Sequence, residues 1–153
     1  MREIEPAKRT RRERGSALVE GALICTMFFY MLLGAMDFGQ FLYIHQTLTE
    51  RARQGVRYGI VNSPTDSTSI QNVVLYGQAS GGSVPTTPAS TDMGIFNVPR
   101  SDVIVGTTGS ATDDYRLTVQ IKNYSYTMYS PIISGSYTGP NIFASLPLGI
   151  NYQ

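Results

Sequence analysis

Residues 15–40 read GSALVEGALICTMFFYMLLGAMDFGQ. Between Glu20 and Asp37 lie sixteen uncharged, mostly apolar residues, and no Lys or Arg occurs from Gly15 through Thr49. After Asp37, FGQFLYI adds further apolar positions before His45. A bilayer core of roughly 30 Å takes about 20 helical residues, so residues 17–37 have the length of a span. The competing reading of such a run is the buried core helix of a soluble protein. The basic leader in front and the lack of proline favour the membrane.

The flanks orient the span. Arg2, Lys8, Arg9, Arg11, Arg12 and Arg14 precede it, mixed with Glu3, Glu5 and Glu13, whereas only Arg51, Arg53 and Arg57 follow closely. The positive-inside rule therefore predicts a cytoplasmic N-terminus and an outward C-terminal portion. A cleaved secretory signal has an apolar region of roughly 7–15 residues ending at a small-residue site. This run is longer and lacks such a site, so it reads as a retained anchor.

Composition narrows the function. The 153 residues are 42% hydrophobic and 15% charged, with a net charge of +1. That balance argues against disorder and lacks the basic excess expected of a nucleic-acid binder. Cys25 and His45 are the only residues of their kinds, which excludes an internal disulfide and paired-ligand zinc motifs. Cys25 reads as apolar filler in the span and His45 as a solvated side chain near the outer interface. No phosphate-binding loop, nucleophile elbow or Cys–His pairing is visible. Asp113–Asp114 is a carboxylate pair in a turn-like TDD context, weak as a calcium site. The expectation is a non-enzyme without cofactor or metal.

The junction RRERG-SALVE places a glycine after a basic leader and a glutamate five positions later, entering an apolar helix. This resembles the prepilin processing pattern, in which Gly15 would admit a membrane aspartyl peptidase to the backbone and cleavage before Ser16 would free an amine. A carboxylate near the centre of an apolar span costs about 2.5–3.5 kcal/mol, and less toward the edge, so Glu20 is expected to be paired or functional. Farther along come DFGQ (37–40) and ARQGVRYG (52–59). Together these motifs resemble the TadE-like family of the tight-adherence (Tad) pilus machinery over about residues 12–60, with an echo at NVVLYGQA (72–79). Gly21 stands where that family usually has an aromatic residue. The resemblance implies a membrane-anchored pseudopilin or minor pilin. Its implied partners are the inner membrane, a prepilin peptidase, the Tad assembly platform, a TadF-like subunit and the major pilin. Asp37, Phe38, Gly39, Ala52, Arg53, Gly55 and Arg57 join Glu20 as implied helix and assembly positions.

An unbroken helix from about Ser16 to Gly59 would be about 65 Å long, leaving a stem beyond the membrane. On that stem Leu48, Ala52, Gly55, Val56 and Gly59 share one narrow face, open to packing on the chain's own sheet or on another subunit. Arg51, Arg53, Gln54 and Arg57 fall mostly on the other side. Asp37 lies about 25 Å along the axis from Glu20, and its default reading is an interfacial acid. The expected organisation is a leader (1–15), a span and stem (16–60) and an exported β-rich domain (61–153). In the last part NVVLYG, DVIVG, RLTVQIKNYSYTM and SLPLGINY read as strands. The third shifts phase after Ile121, suggesting a bulge or a strand covered on both faces, and Pro147 marks the fourth as an edge or terminal strand. Between Gly77 and Arg100 the SGGSVPTTPAST stretch (80–91) reads as a loop, as do residues 129–140. The fold class is α+β: a long N-terminal helix packed on a small antiparallel sheet. Its rivals in function are a permanently anchored binding module and, less well supported, an extracytoplasmic enzyme subunit.

Overall fold

The computed structural model describes residues 11–109, 115–131 and 133–148. One helix, α1 (Arg11–Val61), spans 51 residues, about 76 Å at ~1.5 Å per residue. It begins inside the basic leader and runs past Gly59, longer at both ends than expected. No proline interrupts it. At its end Asn62 donates both its backbone N–H and its side-chain amide to the Tyr58 carbonyl at 3.0 Å. Pro64 then disfavours helical geometry at Ser63.

A second helix, α2 (Ser67–Tyr76), replaces the strand expected at NVVLYG. The Asp66 side chain accepts the Ser69 N–H at 3.1 Å, and Gly77 closes the helix at φ 81°, donating its N–H to Val73 O at 2.9 Å. These are ordinary helix start and stop devices. Ile70, Val73 and Val74 are buried at helical spacing. Their β-branching suggested a strand, but burial against α1 outweighs that preference.

Five strands follow: β1 (Val103–Thr108), β2 (Arg116–Ile121), β3 (Ser125–Met128), β4 (Gly135–Thr138) and β5 (Ile142–Pro147). They form an antiparallel three-stranded sheet in the order β1-β2-β5 and a separate antiparallel hairpin of β3 and β4. The long strand expected over RLTVQIKNYSYTM is therefore two strands in different sheets. The phase shift is no bulge: at Asn123, with φ 51°, the chain leaves one sheet for the other. Residues 129–140, read as a loop, contain β4. The C-terminal strand begins earlier than expected and lies at a sheet edge; residues 149–152 of the SLPLGINY stretch lie outside the described residues. So do Asp113 and Asp114.

The core forms where α1 and α2 cover one face of the three-stranded sheet. Leu48, Ala52 and Val56 of α1 meet Ile70, Val74 and Leu75 of α2, with Val103, Leu117, Val119, Ile121 and Ile142 beneath. On β2 the buried residues alternate, so Leu117, Val119 and Ile121 face the helices. A Cβ on Gly55 would stand 2.5 Å from Val74 Cγ2, and one on Gly59 would stand 2.5 Å from Leu117 Cδ2. Both glycines let α1 approach its own domain closely. That answers the choice left open for the stem face: it packs within the chain.

The 77–100 segment is tied down at its end by Arg100, which is 5% exposed. Arg100 donates to Asn72 Oδ1 at 2.6 Å and to Gln71 Oε1 at 3.4 Å, both on α2, and its Nε lies 3.6 Å from Asp92 Oδ2. A buried guanidinium is stable only when so partnered.

Candidate functional site

The junction between span and domain is built on α1. From Gly15 to Met36 no residue of α1 is buried, and Asp37 is the first that is. This stretch, exposed except at the half-buried Leu33 and Gly34, is 22 residues long, about 33 Å of helix, which matches the hydrocarbon thickness of a bilayer. Within it, the Thr26 hydroxyl donates to the Ala22 carbonyl at 2.8 Å, which satisfies a polar group internally where no water would be available. Glu20 is exposed and has no ion pair among the described residues. Gly15 and Ser16 are also exposed and helical.

At Asp37 the environment changes. Its carboxylate accepts the Tyr129 N–H at 3.0 Å and the Ser130 N–H at 2.7 Å, more than ninety residues away in sequence. Asp37 is thus not an interfacial acid facing water or headgroups; it is 5% exposed and clasps the chain just after β3. Two successive backbone N–H groups on one carboxylate make a charge-assisted clasp.

Two further residues extend this grip at four-residue intervals, which keeps them on the same helix face. Phe41 lies 4.8 Å from the Tyr126 ring, centroid to centroid. Nδ1 of His45 is hydrogen-bonded to the Tyr124 hydroxyl at 2.8 Å, the imidazole tautomer setting the direction. His45 is half-buried and partnered, which corrects its reading as a solvated side chain. Burial, and secondarily Tyr126, push the Tyr124 phenol above its ordinary value of 10.0. Gly139 packs directly on the Tyr124 ring and donates its N–H to Tyr124 O at 2.8 Å. The hairpin is therefore fastened to α1 at three levels: Asp37, Phe41 and His45.

The remaining motif residues divide cleanly. Phe38 and Gly39 turn away from the domain and are exposed, whereas Ala52 and Gly55 are buried beneath α2 and the sheet. Arg53 and Arg57 stay on the outer face. Arg51, expected with them, is half-buried and lies against Gly77 at the end of α2, where a cation suits the helix dipole. Sequence reasoning missed the acceptors' partners at Tyr129 and Ser130, because backbone amides leave no side-chain pattern. The Asp37–Phe41–His45 spacing was the available signal. Among the described residues, no group of three or more His, Cys, Asp or Glu side chains is placed to hold a metal.

By architecture this is an α+β protein whose small domain grips the upper half of one helix long and apolar enough to cross a membrane. Residues 15–57 match the family model described as TadE-like protein. Over this helix the chain is similar to TadE-like proteins. The match takes in Gly15, Glu20, Asp37, Arg53 and Arg57. No curated protein and no solved structure matches the chain.

Proposed function

We propose that the chain is a pseudopilin or minor pilin of a Tad-type pilus, a structural subunit rather than a catalyst. The observation that carries this reading is the 22-residue exposed helix ending at the Asp37 clasp. A pilin-like subunit needs a naked apolar helix that lipid covers before assembly and neighbouring helices cover afterwards. It also needs a domain held at a constant height above that helix. The family match across residues 15–57 supports the same role.

In this reading the basic leader stays in the cytoplasm and a prepilin peptidase cuts between Gly15 and Ser16 at the inner membrane. Glu20, without an ion pair among the described residues, takes the new amine of a neighbouring subunit. The partners are the assembly platform, a TadF-like subunit and the major pilin. The domain from residue 61 onward lies outside and contributes to adhesion.

The test is to express the chain with and without its prepilin peptidase and measure intact mass and mature N-terminus. A start at Ser16, lost when Gly15 is replaced by a bulky residue, is expected. Glu20→Ala should then be processed but excluded from filaments. A chain that keeps residues 1–15 beside active peptidase would overturn processing and leave a permanently anchored binding module.

A further inference from the structure

The three-stranded sheet has two edges, and one contact beyond the paired residues sets the hydrogen-bond phase of each. Leu148 donates its N–H to Tyr115 O at 2.8 Å, in line with the pairs Leu117↔Leu146 and Val119↔Ala144. Bonded and non-bonded pairs alternate along an antiparallel ladder. Ile142, Ala144 and Leu146 therefore turn their backbone groups toward β2, while Phe143, Ser145 and Pro147 turn theirs outward. At the other edge, Lys122 donates to Asp102 O at 2.9 Å, so Val103, Val105 and Thr107 face outward. There α2 covers the first position, with Gln71 Nε2 donating to Val103 O at 2.8 Å. Among the described residues no side chain from another element bonds the outward groups of Phe143 or Ser145.

A groove runs beside this second edge, lined by Arg53, Val56 and Arg57 of α1 and by Phe143, Ser145 and Leu146 of β5. Phe143 is 63% exposed, a large apolar side chain on an edge strand that carries no charge of its own. Edge strands are usually guarded by charges, proline or cover; here only Pro147, at the far end, lacks an outward N–H. Arg57 has no ion pair among the described residues. Arg53 reaches Glu50 only at 4.0 Å, with both side chains more than half exposed, a pair worth little.

We propose that the free edge of β5 is a docking strand for an extended acidic segment of a partner protein. The segment adds a fourth strand along Phe143–Ser145 and sets its carboxylates against Arg53 and Arg57. Main-chain pairing at an exposed edge supplies affinity with little sequence demand, and guanidinium forks select carboxylates. Charge also argues against a second copy of the chain as occupant. Two β5 edges paired together would bring the arginines of both copies to one seam, where like charges disfavour association. The surface lies wholly in stem and sheet, so it stands whether or not the chain is cut at Gly15.

The experiment uses the full chain in lipid nanodiscs and two fluorescein-labelled probe peptides, one alternating valine and glutamate, the other valine and lysine. The glutamate peptide should bind saturably by anisotropy and slow amide exchange at Phe143 and Ser145, leaving Val105 and Thr107 unchanged. Arg53→Glu with Arg57→Glu should weaken it by about tenfold or more, roughly 1.4 kcal/mol, without altering thermal unfolding, because both side chains are exposed. Ser145→Pro, which removes an outward N–H that β2 does not use, should abolish binding. Failure of the glutamate peptide to bind, equal binding of the lysine peptide, or binding that survives Ser145→Pro would each overturn the proposal. Sedimentation showing a dimer that Ser145→Pro disperses would overturn it in favour of a second copy.

Discussion

One helix serves two environments, and its halves are built by different rules. From Gly15 to Met36, α1 exposes Leu18, Leu23, Met27, Phe28 and Met31, and Cβ atoms placed on Gly15, Gly21 or Gly34 would touch nothing. From Asp37 onward one face is buried in sequence at Asp37, Ile44, Leu48, Ala52 and Val56, and glycines 55 and 59 are jammed against the domain. Contacts inside the chain account for Gly55 and Gly59 of the upper half, whereas Gly39 and the glycines of the lower half have none among the described residues. Folding of the domain and the fate of the anchor are therefore separable properties of a single element.

The sharpest way to break that separation is a matched pair of truncations. Leu48→Ala, at a fully packed position, should destabilise the domain by about 2–5 kcal/mol. Leu23→Ala, 67% exposed, should change it by no more than about 0.5 kcal/mol. Chemical unfolding of the full chain in detergent, followed by tyrosine fluorescence, reads both. Equal effects would mean that the two halves fold as one unit.

Asp37 is the boundary itself, and its removal should cost nearly as much. Asp37→Ala leaves the Tyr129 and Ser130 amides without their acceptor, a loss of about 2–4 kcal/mol for two bonds to a charged group. Amide exchange should accelerate first at residues 129 and 130. Asp37→Asn, which keeps one acceptor oxygen, should recover part of the loss.

The glycines give a smaller and signed contrast. Gly59→Ala should destabilise by about 1–3 kcal/mol through overpacking against Leu117 and Ile70. Gly34→Ala should leave the domain's thermal midpoint unchanged, and any defect it causes should show only in assembly.

The smallest expected effect sharpens the comparison through pH. Hydrogen bonds from Ser69, its hydroxyl first and its N–H second, hold Asp66 below the ordinary aspartate value of 3.8. A lowered folded value stabilises the protein above the unfolded pKa, and that contribution disappears as pH falls through the folded value. Asp66→Ala should thus cost about 1 kcal/mol at neutral pH. The difference from the parent chain should close in strong acid, in unfolding curves taken across pH 2 to 7. The mutation should leave the lower helix untouched.

Much of this was legible before any coordinates. The uncharged run between Glu20 and Asp37 was legible as a helix long and apolar enough to span a membrane, and the helix is there. The spacing of Leu48, Ala52, Gly55, Val56 and Gly59 announced a packed face, and the alternation in RLTVQI announced a half-buried strand. NVVLYG misled, because β-branched residues fit a strand or a buried helix equally well, and only the Asp66 and Gly77 caps distinguish them. The break at Asn123 was visible as a change of phase but not as a change of sheet.

The sequence by itself determined a helix long and apolar enough to cross a membrane, since local hydropathy and charge spacing are enough to mark one. Tertiary structure alone decided what Asp37 and His45 do, what the small stem face packs on, and which strand edge is left uncovered among the described residues beside Arg53 and Arg57. Each of these depends on segments far apart in the chain meeting in space. Backbone amides and unpaired strand edges, which carry two of those answers, have no residue type by which a sequence could announce them.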